Sequence, residues 1–151
     1  MDNPNVIVRS TTDRGLGVFA VEAIEPGDLI ASFDGQRFAS CDDDQLPPSA
    51  WYHAIQYGPN CVRDSAGIAR VVNHSCEPNC GIRRLFDIVC MKPIAPGEEV
   101  FWDYAMSENS DWAMDCVCGT PSCRKKIIGF RGLDDQKIAE YEGYISAWLV
   151  G

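Results

Sequence analysis

The sequence predicts a mainly β fold with short helices and one helix near the C-terminus. Apolar residues fall in short runs rich in β-branched and aromatic side chains, with Gly and Pro between them. Strands and helices do not alternate, which argues against a doubly wound parallel sheet. Helical spacing of large apolar residues is confined to the last stretch of the chain.

Val6-Ile7-Val8 is the first strand run and Gly17-Val18-Phe19-Ala20 the second. Glu25-Pro26-Gly27-Asp28 reads as a turn, and Leu29-Ile30-Ala31-Ser32-Phe33 follows it as a strand. Phe86-Asp87-Ile88-Val89-Cys90-Met91 is a later strand. A second turn, Ala95-Pro96-Gly97-Glu98, precedes the strand Val100-Phe101-Trp102-Asp103-Tyr104. Asp134 or Asp135 then caps a helix on which Ile138, Tyr141, Ile145, Trp148 and Leu149 form an apolar stripe facing the β core. Gly15-Leu16-Gly17 is not a dinucleotide-binding turn, because Val18-Phe19-Ala20 continues as a strand instead of opening a helix. Its glycines lack Cβ atoms and so let the backbone come close to a ligand.

The 151 residues fit one domain with a sizeable core. Hydrophobic residues at 46% and charged residues at 23% argue against disorder. Met1-Asp2-Asn3-Pro4 does not begin a secretion signal, and no run is apolar for long enough to cross a bilayer. The expectation is an intracellular protein without membrane contact, cytoplasmic in a prokaryote and nuclear or cytoplasmic in a eukaryote. A net charge of −9 argues against direct nucleic-acid binding. It suits a basic partner, such as a lysine-rich tail, and equally an acidic surface that keeps the protein in solution. Cys41-Asp42-Asp43-Asp44 either holds a basic peptide or forms a solvated loop, the commoner fate of a charge run.

Eight cysteines in a chain without a secretion signal favour metal binding over disulfides. Cys116-Val117-Cys118-Gly119-Thr120-Pro121-Ser122-Cys123 places three thiols on one short loop, enough for three corners of a tetrahedral Zn²⁺ site. Cys41, Cys61, Cys76, Cys80 and Cys90 all remain candidates for the fourth corner.

Four blocks, Arg14–Ala20, Arg70–Asn79, Gly97–Tyr104 and the cysteine loop with Arg124, follow one another in an order that resembles the SET-domain protein lysine methyltransferases. Arg14-Gly15-Leu16-Gly17-Val18-Phe19-Ala20 looks like the first motif of that family. Arg70-Val71-Val72-Asn73-His74-Ser75-Cys76-Glu77-Pro78-Asn79 is similar to its Asn-His-Ser-Cys segment. Gly97-Glu98-Glu99-Val100-Phe101-Trp102-Asp103-Tyr104 resembles its Gly-Glu-Glu-Leu-Thr-Phe-Asp-Tyr end. The cysteine loop followed by Arg124 is similar to the post-SET element. The resemblance implies small curved β-sheets with a knot-like C-terminal crossing, a SET domain over residues 1–108, and a post-SET zinc loop and C-terminal helix over 109–151. It also implies that Cys76 joins Cys116, Cys118 and Cys123 around one structural zinc. Cys80 is the local competitor, and Cys41, Cys61 and Cys90 are then buried small hydrophobes.

The implied reaction moves a methyl group from S-adenosylmethionine to the ε-amine of a lysine in a basic protein, a histone or a histone-like one. Tyr104 is implied as the central catalytic residue. Gly15, Leu16, Gly17, Asn73 and His74 are implied as cofactor-binding, and Tyr52 stands where a second cofactor-contacting tyrosine sometimes occurs. Phe33 and Trp102 line the implied lysine channel. Phe33 lacks the hydroxyl common at its position, and the large Trp102 is expected to restrict how many methyls are added. The alternative is a SET-like interaction module, zinc-stabilised and without catalysis. A redox protein is disfavoured, since it needs a Cys-x-x-Cys on a helix and none is present.

Overall fold

The hairpin at the start of the chain forms because Gly15 takes a left-handed φ of 70°, closing β1 (Val6–Ser10) onto β2 (Leu16–Ala20). In the computed structural model, which describes residues 2–38 and 53–150, this pair is the first of four small sheets. After it come β3 (Leu29–Ser32), β4 (Arg37–Phe38), β5 (Ile55–Gly58) and β6 (Cys61–Arg63). Next are β7 (Asn73–His74), β8 (Cys80–Arg83), β9 (Asp87–Cys90) and β10 (Phe101–Trp102). The C-terminal part carries β11 (Met114–Asp115), β12 (Lys126–Ile127), α1 (Asp135–Glu140) and α2 (Ala147–Val150). Among the described residues no helix is long and apolar enough to cross a membrane.

Both expected turns form. Gly27 and Gly97 take φ values of 94° and 89°, and each turn is closed across its ends, Asp28 N–H to the Glu25 carbonyl and Glu98 N–H to that of Ala95. The residues ahead of the two turns pair with each other, Ile24 and Ile94 exchanging backbone bonds of 2.9 and 3.0 Å. The two Pro-Gly turns are therefore neighbours in space.

The largest sheet has the order β3-β9-β8-β10-β7. Its short interior strand β10 lies parallel to both neighbours, pairing Phe101 with Asn73, and Trp102 with both His74 and Cys80. A late segment is thus inserted between two earlier ones, which brings the 101–104 and 73–76 segments together. The core beneath is closed by Val18, Ile30, Phe33, Ile82, Ile88 and Val100, each at 2% exposure or less.

Two elements differ from expectation. The strand expected to reach Tyr104 stops at Trp102, because the Asp103 side chain accepts a bond from Ala105 N–H and starts a 3₁₀ turn over Tyr104–Met106. The expected C-terminal helix is two helices. Asp134 caps α1 as anticipated, its Oδ1 accepting from Lys137 N–H at 2.8 Å, but Gly143 then takes a φ of 87°. The break lets the Tyr144 carbonyl accept from Ile82 N–H on β8 at 2.9 Å. The apolar stripe still packs inward: Tyr141 and Ile145 are buried, and Ile138 and Leu149 lie against the same core. Trp148 reaches Ser107, donating from Nε1 to its carbonyl at 2.9 Å.

Tyr144 lies so close to Gly81 that a Cβ added there meets the tyrosine Cβ at 2.4 Å. Gly81→Ala is expected to lower stability by about 1–3 kcal/mol through overpacking. Urea unfolding checks this, and an unchanged midpoint contradicts the contact.

Candidate active site and cysteine cluster

Asn73 and His74 are held on β7, and their side chains turn to different tasks. Asn73 Nδ2 donates to the Leu16 carbonyl and to Glu99 Oε2, both at 2.9 Å, tying the first glycine motif to the later Glu-Glu run. Glu99 also explains Gly17, since a Cβ there meets Glu99 Oε2 at 2.7 Å. The His74 ring is committed inside the protein. Its Nδ1 accepts from Tyr104 N–H at 3.1 Å, which puts the ring proton on Nε2, 3.5 Å from Cys76 Sγ. Burial lowers the His74 pKa to about 4, although Asp103 opposes the shift, so the ring is neutral. Only the backbone of residue 74 remains for outside contacts.

Beside Asn73, the Arg14 guanidinium stacks over Phe101 at 5.0 Å and faces Glu99 at 3.5 Å. Its Nη1 is buried without a hydrogen-bond partner, and its Nε faces only the Asp13 carboxylate at 3.5 Å. Unpaired guanidinium donors next to a backbone cradle of Gly15, Leu16 and Gly17 fit an anionic group such as an amino-acid carboxylate.

Tyr104 begins the 3₁₀ turn, and its hydroxyl donates to the Val72 carbonyl at 3.0 Å. Burial raises its pKa to about 12. Four aromatic rings run in sequence through this region, Phe33–Trp102, Trp102–Tyr104 and Tyr104–Trp112, with centroids 6.2, 4.9 and 6.5 Å apart. They line a cavity of about 240 Å³ whose wall also includes Val72, Arg70 and Glu108. The Trp102 indole N–H is buried without a hydrogen-bond partner. Arg70, the first residue of the Asn-His-Ser-Cys segment, reaches Asp64 at 4.0 Å. Tyr52 lies outside the described residues, as does the acidic run from Cys41.

The second centre is sulfur-rich. The Sγ atoms of Cys76, Cys116, Cys118 and Cys123 all lie within 4.8 Å of one another, and those of Cys76 and Cys116 are 3.8 Å apart. A tetrahedron with Zn–S bonds of about 2.3 Å has edges of roughly 3.8 Å, so these donors fit Zn²⁺. Burial pushes the Cys76 and Cys116 thiols up. Burial also works against the Cys118 thiolate, but the Thr120 hydroxyl and nearby N–H donors bring its pKa down to about 6. Packed this closely, four thiolates require a cation among them. The Arg124 N–H approaches Cys76 Sγ at 3.4 Å, an outer donor of the kind that steadies a metal-bound sulfur. Cys80 instead faces Cys90 in the main core, and Cys61 sits on β6; neither is in the cluster.

One buried carboxylate joins the two centres. Asp103, fully buried, takes both guanidinium arms of Arg124 at 2.8 Å and the Tyr141 hydroxyl at 2.8 Å. Sequence reading gave Asp103, Arg14, Glu108 and Trp112 no role. Asp103 and Arg14 were visible only as parts of motifs, and Glu108 and Trp112 gave no local signal.

A sequence model of the SET domain matches residues 15–105. The chain belongs to the SET-domain family. It is 30% identical over 125 residues to the H3 lysine-4-specific histone-lysine N-methyltransferase of Schizosaccharomyces pombe, a match spanning 72% of this chain and 14% of that protein. It is also 30% identical over 128 residues to the histone-lysine N-methyltransferase set-2 of Caenorhabditis elegans, across 74% of this chain and 8% of that protein. The chain thus spans a small part of the curated relatives it matches. Among solved structures, KRYPTONITE in complex with methylated DNA and SAH has a TM-score of 0.66 at 23% identity, over 81% of this chain and 28% of that one. A second KRYPTONITE complex, which also contains an H3(1-15) peptide, has a TM-score of 0.66 at 22% identity, over 83% of this chain and 30% of that one. These likenesses bear on the fold.

Removing the carboxylate in Asp103→Ala leaves the partly buried Arg124 guanidinium and the Tyr141 hydroxyl without their shared partner and is expected to cost about 3 kcal/mol. Chemical denaturation measures the loss, and a change below about 1 kcal/mol contradicts the bridging role.

Proposed function

We propose that this chain is a protein lysine N-methyltransferase that uses S-adenosylmethionine and is braced by a structural zinc. The observation that carries the reading is Tyr104, whose hydroxyl is fixed on Val72 at the wall of an aromatic cavity while its backbone is tied to the Asn73-His74 strand. One side of the tyrosine meets a channel suited to an alkyl amine. The other meets the segment that the family resemblance assigns to the cofactor.

In this reading the cofactor supplies a methyl group on a sulfonium centre. The backbone of Gly15, Leu16, Gly17 and His74, with the Asn73 side chain and Tyr52, holds it, and the orphaned Arg14 donors take its carboxylate. Phe33, Trp102 and Trp112 exclude water from the lysine side chain. Dehydration and a neighbouring cation both lower the amine pKa from about 10.4, which favours the neutral nucleophile. Tyr104 stays protonated well above neutral pH, so its hydroxyl remains an orienting group throughout the working range. The rise of rate with pH then belongs to the amine. The large Trp102 indole forms part of the channel wall, which supports restricted methylation.

Cys76, Cys116, Cys118 and Cys123 hold the zinc and pin the post-SET loop to the active-site strand. Residues 1–108 form the SET domain and 109–151 the post-SET part, whose Leu133, Tyr141 and Ile145 complete the main core. The substrate is a basic protein of the histone or histone-like class; the net charge of −9 and the named activity of the relatives support it. The reading places the protein inside the cell, in the nucleus or cytoplasm according to its source.

The test is methylation of lysine-rich peptide arrays with labelled cofactor, read by mass. Wild type is expected to transfer label and to stop short of trimethylation. Tyr104→Phe is expected to bind cofactor normally by calorimetry while losing about 10²-fold or more in turnover. Unchanged turnover overturns the role of Tyr104, and ready trimethylation overturns that of Trp102.

A further inference from the structure

Among the described residues lining the aromatic cavity, Glu108 is the single carboxylate. Its backbone is fixed from two sides. Its N–H donates to the Tyr104 carbonyl at 3.0 Å, and its own carbonyl accepts from Phe130 N–H at 2.6 Å. Gly129 presses on that carbonyl with a φ of 93°, where an added Cβ meets the oxygen at 2.6 Å. The side chain is steadied by Ser110, whose hydroxyl donates to Oε1. A half-buried acid on so rigid a mount, one turn beyond Tyr104, has no cation bound to it within the cavity wall. Arg70 leans on Asp64, and Arg131 is bonded to the Ser110 carbonyl. His53 lies at the exposed side of the same cavity.

We propose that Glu108 accepts the proton of the incoming lysine ammonium, so that a neutral amine reaches Tyr104. This rests on the methyltransferase reading and adds a proton acceptor that the four sequence motifs do not supply. One N–H bond of the ammonium breaks and one O–H bond forms on Glu108. The cavity keeps the same charge, and water takes the proton from Glu108 after methyl transfer. Burial supports the exchange from both sides, since it raises the Glu108 pKa and lowers that of the amine. Arg131 works against the first of these shifts. Tyr104 is a poorer acceptor, because its hydroxyl is already donated to Val72 and its anion is disfavoured by burial. The adjacent rings Trp102, Tyr104 and Trp112 favour the cationic form on arrival, through their π faces.

The test uses Glu108→Gln in the full chain, with n-butylamine as a lysine side-chain probe and tryptophan fluorescence as the readout. Near pH 7 the amine is charged, and wild type is expected to bind it roughly tenfold or more tightly than the variant. Toward pH 10 the variant is expected to recover, because neutral amine becomes available. Equal binding of n-butanol by both proteins shows that the variant's cavity is intact. Equal n-butylamine affinity in the two proteins at both pH values overturns the proposal, as does failure of wild type to bind it. In peptide methylation the variant is expected to lose about 10²-fold in kcat/KM near neutral pH, with the deficit shrinking as pH rises. A loss independent of pH overturns the proton-acceptor role. Absence of methyl transfer by wild type refutes the methyltransferase reading instead, while the amine-binding result still decides whether Glu108 holds an ammonium.

Discussion

The carboxylate of Asp103, with no exposed surface, sits where three parts of the chain meet. Its two oxygens take both arms of Arg124 and the Tyr141 hydroxyl, and Oδ1 also caps the turn that begins with Tyr104. Taking a carboxylate out of water costs several kcal/mol, and a single ion pair often fails to offset that. Here the offset comes from four donors with good geometry on one anion. Bidentate pairing also fixes the angle between the two partners, which a lone lysine ammonium would not do.

The geometry carries consequences in two directions. Arg124 follows Cys123 directly, and its own N–H touches Cys76 Sγ, so the salt bridge and the sulfur cluster share a residue. Tyr141 belongs to the C-terminal segment and lies in the main core, so the same anion anchors that segment too. On the other side, Asp103 immediately precedes Tyr104, whose N–H is held by His74 Nδ1. The position of the Tyr104 hydroxyl therefore depends on the cysteine loop, the C-terminal segment and β7 together. A side chain supported in this way is positioned by the fold and not by its own strand, which has already ended at Trp102.

Much of the fold was legible wherever the signal was local. The Pro-Gly turns, the first two strands and a helix cap at Asp134 or Asp135 follow from residues a few positions apart. The three thiols at 116, 118 and 123 were legible from spacing, whereas Cys76 was one of five candidates and was singled out only by the family resemblance, since 40 residues separate it from Cys116. The continuous C-terminal helix was misread because its apolar period is intact. Gly143, with its φ of 87°, breaks it, and the bond from Ile82 N–H to the Tyr144 carbonyl that holds the next segment is a long-range partner that no local pattern announces. The same applies to Asp103 with Arg124, 21 residues apart, and to Glu108, whose meaning comes from the cavity beside it. His74 was expected to face the cofactor; its ring nitrogens turn out to be occupied by Tyr104 and Cys76.

The claim that Asp103 transmits the order of the cysteine loop to Tyr104 is tested most directly by amide hydrogen exchange in Arg124→Leu. The account predicts faster exchange, by about tenfold or more, in the cysteine loop and in the 104–107 turn alike. A loop that loosens while the 104–107 amides keep their wild-type protection would contradict it.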